Sequence, residues 1–302
     1  MAPAETLRSQ STPVQARRRC LQRLGGLLLA GAGPGLMPSA SQGATPATAG
    51  TPLPLFDAHI HYSHDAVERV PPAQAAALLR AAGLKGALVS SSDDEGTQRL
   101  LAEAPDLVVP ELRPYRTRAD MNTWVRDPAI VRYLEDRMAR WRYVGIGEFH
   151  LFGADAELPV PRRMVALARE RQYLLHAHSD VDAVNRLFAQ WPDASVLWAH
   201  SGFEQPAAIR EQLMRHPRLW CDLAYRNEHA GIHGVEPAWR ELFAEFPDRF
   251  MVGTDTFTPE RWHYIGPHAT SARRWLASLP PGLAEPIAWR NAQNLLRARP
   301  PR

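Results

Sequence analysis

Phe56-Asp57-Ala58-His59-Ile60-His61-Tyr62 puts two imidazoles two residues apart in a short apolar run, with a carboxylate two residues ahead of them. Side chains alternate along a β-strand, so Asp57, His59 and His61 are expected on one face. A strand that gives three same-face positions to a carboxylate and two imidazoles sacrifices packing, and a bound divalent metal is the commonest compensation. His-x-His also arises by chance on surface strands. The segments that follow decide between the two.

After a Pro/Thr/Ala-rich linker, 45–54, strand-like and helix-like segments alternate through the rest of the chain. The strand-like runs are 55–62, 86–90, 107–113, 143–149, 173–178, 195–200, 219–224 and 249–255. Between them lie stretches with helical apolar spacing at 72–82, 129–141, 161–171, 180–190, 206–216 and 239–246; the connection from 86 to 107 carries the weakest helical pattern. Eight β units alternating with helices over about 250 residues predict an α/β fold of the (β/α)8 TIM-barrel type, filling 55–302. A doubly wound open sheet would carry a Gly-x-Gly-x-x-Gly turn after an early strand, and none is present.

Barrel chemistry sits at the C-terminal ends of the strands, and these ends are polar. The first carries His59 and His61, and the third runs into Arg113, Tyr115, Arg116 and Arg118. The fourth ends Gly147-Glu148-Phe149-His150, the fifth His176-Ala177-His178-Ser179 and the sixth Ala199-His200-Ser201-Gly202. The seventh reaches Tyr225-Arg226 and the eighth Gly253-Thr254-Asp255. One strand-end histidine would be ordinary core. Histidines and acids spread over five strand ends point to a metal centre.

The formal charge of +3 is concentrated at the N-terminus: Arg8, Arg17, Arg18, Arg19 and Arg23 stand against Glu5 in residues 1–44, leaving 30 basic and 31 acidic residues beyond them. A near-neutral remainder gives no electrostatic case for nucleic acid or an anionic membrane. Arg17-Arg18-Arg19-Cys20-Leu21 precedes the apolar run 24–32, and small residues follow through Ala49. That order reads as a signal peptide over 1–44 of the twin-arginine type, implying the twin-arginine export machinery as a partner and a periplasmic or secreted protein. The run is too short and glycine-rich for a membrane span. Only Cys20 and Cys221 are present, so a chain without its signal could form no internal disulfide.

The order His-x-His, Glu, His, His, Asp on strands one, four, five, six and eight resembles the amidohydrolase superfamily of metal-dependent hydrolases over nearly all of the chain after residue 54. Val196-Leu197-Trp198-Ala199-His200-Ser201-Gly202 and Val252-Gly253-Thr254-Asp255 are similar to the amidohydrolase 2 family, which includes decarboxylases and lactonases. Gly145-Ile146-Gly147-Glu148 is similar instead to the TatD-like and phosphotriesterase-related branches, in which a fourth-strand carboxylate bridges two metals.

The resemblance implies that His59, His61 and Asp255 hold a first divalent ion, with zinc expected. His178 would bind that ion in a one-metal site or a second ion in a two-metal site, and His200 would join the second ion or act as a catalytic electrophile or acid. Glu148 would bridge the two ions or orient a histidine. Many superfamily members bridge with a carboxylated lysine, but the single lysine, Lys85, precedes the second strand at the wrong end of the barrel. Asp255 would also be the base for metal-activated water. Arg113, Arg116 and Arg226 are candidates for an anionic substrate group; His150 is expected to touch substrate and His176 to be core. The segment 256–269, with Trp262, is expected to cover the mouth and supply apolar specificity.

Together these features imply a hydrolase of an ester, lactone, amide or related bond in a small molecule, with an anionic group as the candidate partner of the arginines. A non-oxidative decarboxylase using one metal is the first alternative, and a non-catalytic periplasmic metal- or ligand-binding protein is the second. Ligation requires neutral imidazoles, so activity is expected to fall below about pH 6.

Overall fold

The computed structural model describes residues 52–297, so the signal-like segment 1–44 and most of the linker lie outside the described residues. Among the described residues eight parallel strands follow chain order: β1 (Leu55–His61), β2 (Leu84–Ser90), β3 (Val108–Leu112), β4 (Gly145–Leu151), β5 (Leu174–Ser179), β6 (Val196–Trp198), β7 (Leu219–Asp222) and β8 (Phe250–Met251). Each pairs with its sequence neighbour. The seam between the last and first strands is closed by hydrogen bonds from Ala58 N to Val252 O, Asp255 N to His59 O and His61 N to Thr256 O. This is the expected (β/α)8 barrel.

Continuous apolar runs make these strands, because parallel strands in such a barrel are buried on both faces; β1 is buried along its whole length. The helices bury one stripe against them. They are α1 (His64–Arg69), α2 (Pro72–Ala81), α3 (Glu95–Glu103), α4 (Ala129–Arg140), α5 (Pro159–Arg171), α6 (Val181–Gln190), α7 (Pro206–Arg215), α8 (Pro237–Glu245), α9 (Pro259–Trp262) and α10 (Ile265–Leu276), with shorter turns and a last helix at Asn291–Arg297 beyond. A separate apolar cluster of Phe56, Leu88, Val144, Leu174, Leu197 and Met251 from the strands is completed by Leu295 and Leu296 of the last helix. No described helix is long and apolar enough to cross a membrane.

Three local expectations change. Asp57 does not join the imidazoles of His59 and His61. The pairing register shifts between Asp57 and Ile60, and the Asp57 carboxylate accepts from His59 N (3.1 Å), Thr254 N (3.0 Å) and Thr254 Oγ1 (2.7 Å), which ties β1 to the segment after β8. Strand β6 stops at Trp198 rather than His200, because His200, Ser201, Gly202 and Phe203 all have positive φ, from 49° to 65°. The segment 256–269 is helical for most of its length, with the Thr258 hydroxyl capping α9 and Pro259 opening it.

The weakest helical pattern yields α3, which approaches β1 closely enough that a Cβ on Gly96 would stand 1.8 Å from the Tyr62 carbonyl oxygen. A backbone obstacle cannot swing aside, so Gly96→Ala should cost about 2–4 kcal/mol of stability by forcing the helix off the strand. Urea unfolding measures it, and an unchanged midpoint would show that this contact does not constrain the fold.

Candidate metal centre

Five strand ends contribute side chains to a common point. His59 and His61 leave β1, Glu148 and His150 leave β4, His178 leaves β5, His200 starts the turn after β6, and Asp255 follows β8. The centre is organised by what holds the far side of each imidazole. His59 Nδ1 faces Asp222 Oδ2 at 3.1 Å, His61 Nδ1 faces Ser90 O at 3.2 Å and Ser90 Oγ at 3.1 Å, and His200 Nδ1 faces Ala224 O at 3.0 Å. A carboxylate and two backbone carbonyls can only accept, so each Nδ1 carries the hydrogen and each Nε2 is left as a lone pair.

Those lone pairs converge. His59 Nε2 and His61 Nε2 are 3.1 Å apart. Asp255 Oδ1 stands 3.6 Å from the first and 3.3 Å from the second, and Asp255 Oδ2 is 3.9 Å from His200 Nε2. Glu148 lies at the middle of the cluster. Its Oε1 is 2.8 Å from His178 Nδ1, 3.5 Å from His59 Nε2 and 3.6 Å from His200 Nε2. Its Oε2 is 2.9 Å from Arg113 Nη2, 3.2 Å from His61 Nε2 and 3.7 Å from His150 Nε2.

Imidazole lone pairs facing each other and two carboxylates repel unless a cation stands among them. The protonation balance registers the same demand. Burial alone would lower the His59 imidazole, but the charges of Glu148, Asp222 and Asp255 raise it well above its ordinary value. Burial pushes Glu148 up, yet the charge of His59 and hydrogen bonds from His150, His178 and His200 hold it well below the usual carboxylate range. Asp255 is likewise brought down to about 2 against its burial, chiefly by His59 and His61. A buried set of acids that draws a proton onto a histidine fits a divalent ion, which supplies the same charge with more of it. Groups of three with ligand atoms mutually within 4.8 Å include His59/His61/Glu148, His59/His200/Asp255 and Glu148/His150/His178.

The centre opens into a cavity of about 270 Å³ whose wall includes His61, Glu148, His150, His178 and Asp255, together with His64, Arg113, Arg118, Met121 and Phe257. Of the residues expected at the substrate, His150 and Arg113 are there. The Arg113 guanidinium, however, is committed to Glu148, donating to its backbone oxygen (3.0 Å) as well as its carboxylate. Arg116 lies off the cavity wall, bound to Asp120 and Asp127. Arg226 is buried, donates to His200 O and Glu204 O, and pairs with Glu228, so it props the turn that carries His200 instead of facing a ligand. Trp262 is fully buried, stacks edge-on against Tyr62 and donates to His61 O, and belongs to the packing beneath the mouth. Lys85 lies over Trp289, away from the centre.

His176 is buried below the centre as expected, bound to Glu111 and Asp222. Sequence reasoning missed Asp222 and Ser90, and it places Arg118 at the third strand end without a role. Asp222 had a sequence signal, since it is a lone acid closing the apolar strand Leu219-Trp220-Cys221-Asp222. It accepts from His200 N (3.1 Å) and Ala224 N (2.9 Å) while holding His59, and its carboxyl is lowered despite complete burial by the charge of His59 and the hydrogen bonds from His176 and His59. Asp222→Asn leaves one acceptor oxygen, claimed by His200 N and Ala224 N, and turns an NH2 donor toward His59 Nδ1, so the tautomer is no longer fixed. Metal affinity, read by competition with a chromogenic chelator, should fall about 10–100-fold; unchanged affinity would remove Asp222 from this role.

The chain matches the amidohydrolase family model over residues 56–298. Among curated proteins no sequence matches it. Solved structures of similar fold include an uncharacterised TIM-barrel protein from Bordetella bronchiseptica, with 14% identity, TM-score 0.53 and 81% of this chain against 99% of that one. A protein from Pseudomonas putida, described provisionally as a 2-pyrone-4,6-dicarboxylic acid hydrolase, shares 16% identity over 81% and 98% of the two chains, with TM-score 0.52. A TatD-family hydrolase from Entamoeba histolytica shares 10% over 80% and 99%, with TM-score 0.51. At these identities the likeness is one of fold. The family match over most of the chain, on a barrel whose strand ends gather acids and imidazoles around one point, establishes that this chain belongs to the amidohydrolase family of metal-dependent hydrolases.

Proposed function

We propose that the protein hydrolyses an ester, lactone, amide or related bond of a small molecule, using two divalent ions, zinc by expectation, that share Glu148. The observation that carries this is the position of Glu148. Its Oε1 faces His178, His59 and His200, and its Oε2 faces His61 and His150, so one carboxylate touches both halves of the histidine set. His59, His61 and Asp255 would hold one ion, and His178 and His200 the other. No lysine reaches the centre to bridge in its place, since Lys85 packs on Trp289.

A divalent ion lowers the pKa of bound water from about 15.7 to about 7 and polarises a carbonyl. The chain's own groups do the rest. Asp255 lies on the cavity wall with its carboxylate ionised, placed to hold the proton of an attacking water and pass it to the leaving group. Glu148 is kept ionised by the imidazoles around it and anchored by Arg113, which prevents it from competing as a base. His64 and Arg118 on the cavity wall supply the polar side, Arg118 replacing Arg226 as the candidate for an anionic substrate group.

Arg113 also supports a second reading. Its 2.9 Å contact satisfies one oxygen of Glu148, and a site in which the arginine claims that carboxylate would have no bridge and would leave one ion on His59, His61, His178 and Asp255. That is the arrangement a decarboxylase of this family would use. The arginine pair ahead of a leucine and the apolar run 24–32 support export of the enzyme from the cytoplasm.

Metal analysis of protein purified at pH 7.5 should give two ions per chain, falling to one or none in Glu148→Gln; a single ion with release of carbon dioxide from an acid substrate would favour the decarboxylase. Asp255→Asn should lower turnover about 10²–10⁴-fold with the fold retained, and retention of most activity would remove it as the base. Because the carboxylates raise His59 above its ordinary value, protons compete with the ion from above pH 6.5 downward. Protonation fills the Nε2 lone pair, so occupancy is full at high pH and is lost as pH falls, with affinity weakening about tenfold per unit. Equilibrium dialysis between pH 8 and 5 tests the sign, and pH-independent occupancy would contradict it.

A further inference from the structure

Three of the large apolar side chains left exposed among the described residues surround the metal centre: Phe152 at 50%, Phe203 at 53% and Tyr225 at 39%. They come from the connections after β4, β6 and β7 and rest directly on site histidines. Phe203 stacks on His200 with ring centroids 4.6 Å apart and planes 19° apart, and lies 5.8 Å from His178. Phe152 stands edge-on to His178 at 6.0 Å, and Tyr225 edge-on to His200 at 6.0 Å. Phe257, which lines the cavity, continues the row beside Tyr225 at 6.5 Å.

Two of these rings are held in place by backbone that side chains disfavour. Phe203 has φ 57° and Tyr225 has φ 55°, a left-handed conformation that bulky residues adopt only where surrounding structure imposes it. The first is imposed by the turn over Trp198, where a Cβ on Gly202 would meet the indole at 2.0 Å. Over the second lies the Arg261 guanidinium, 4.4 Å from the ring centroid. Half-exposed rings gain little from folding, so fixing them beside the centre gives a benefit only when something apolar covers them. Of these rings Phe257 alone is in the cavity wall, whose polar residues include Ser63, His64, Asp65 and Arg118; the other three stand beside it against His178 and His200.

We propose that Phe152, Phe203 and Tyr225 form an aromatic collar that grips a flat aryl group of the substrate next to the bond being broken, so that aryl-bearing molecules are the preferred class. This rests on the hydrolase reading for its substrate, but the collar itself can be tested without turnover. Aromatic faces and edges favour offset-stacked and edge-to-face partners, which a planar ring supplies and a small alkyl group does not.

Calorimetric binding of benzoate and acetate to the metal-loaded protein tests the collar, with metal content measured on every variant as the control for an intact centre. Benzoate should bind at least about tenfold more tightly than acetate, and Phe203→Ala combined with Tyr225→Ala should reduce that ratio below about threefold at unchanged metal content. Phe203→Tyr should keep it. Equal affinities in the unsubstituted protein, or a preference that survives the double substitution, would overturn the collar. Hydrolysis of phenyl and methyl esters is assayed separately: a benzoate preference without any turnover leaves the collar standing and sinks the hydrolase reading, whereas turnover without the preference does the reverse.

Discussion

The structure depends on the way three imidazoles are held from behind. Asp222, the Ser90 carbonyl and the Ala224 carbonyl each take an Nδ1 hydrogen, and the three Nε2 atoms of His59, His61 and His200 have nowhere to turn but inward. Two carboxylates meet them there. Without a cation the arrangement sets lone pairs against lone pairs in a buried space; a cation among them would give those lone pairs a partner. Asp222 is central because it serves several masters at once, orienting His59, contacting His176 and accepting from the backbone of the His200 turn. The metal centre and the local fold of β6 and β7 are in this sense one construction.

The same logic explains why the backbone is unusual where it is. The left-handed residues His200 to Phe203, Tyr225 and Asp255 all lie at strand ends around the centre. Holding side chains in directions that regular strands do not offer costs conformational energy, of order 1 kcal/mol or more per residue. That cost is offset by Arg226 and Ser201, which fasten the β6 turn to the end of β7. Arg226 thus contributes to the site through the position of His200 and not through contact with a ligand.

Much of this was legible in the sequence. Apolar runs alternating with amphipathic stretches gave eight strands in order, and the polar residues that interrupt those runs at their C-terminal ends are the ones that converge. The seam role of Asp57 was hidden, because strict alternation was assumed across a register shift. Nearness to a strand end suggests Arg116 and Arg226, and a mouth-covering segment suggests Trp262, yet a guanidinium or indole there can turn to a local carboxylate, a carbonyl or the core instead. Ser90 and Asp222 close their own strands, so their partnership with Nδ1 atoms needs the barrel to be seen, whereas the Ala224 carbonyl and the collar of Phe152, Phe203 and Tyr225 are products of loop geometry, for which a single sequence carries no periodic signal.

The central claim is that the strand-end acids and imidazoles share a divalent cation. Diffraction from crystals grown with zinc, recorded on either side of the zinc absorption edge, tests it most directly. The account predicts an anomalous peak about 2.0–2.2 Å from His59 Nε2, His61 Nε2 and an Asp255 oxygen, with a second peak across Glu148 toward His178. Full-occupancy zinc elsewhere on the protein and no peak among these residues would contradict it.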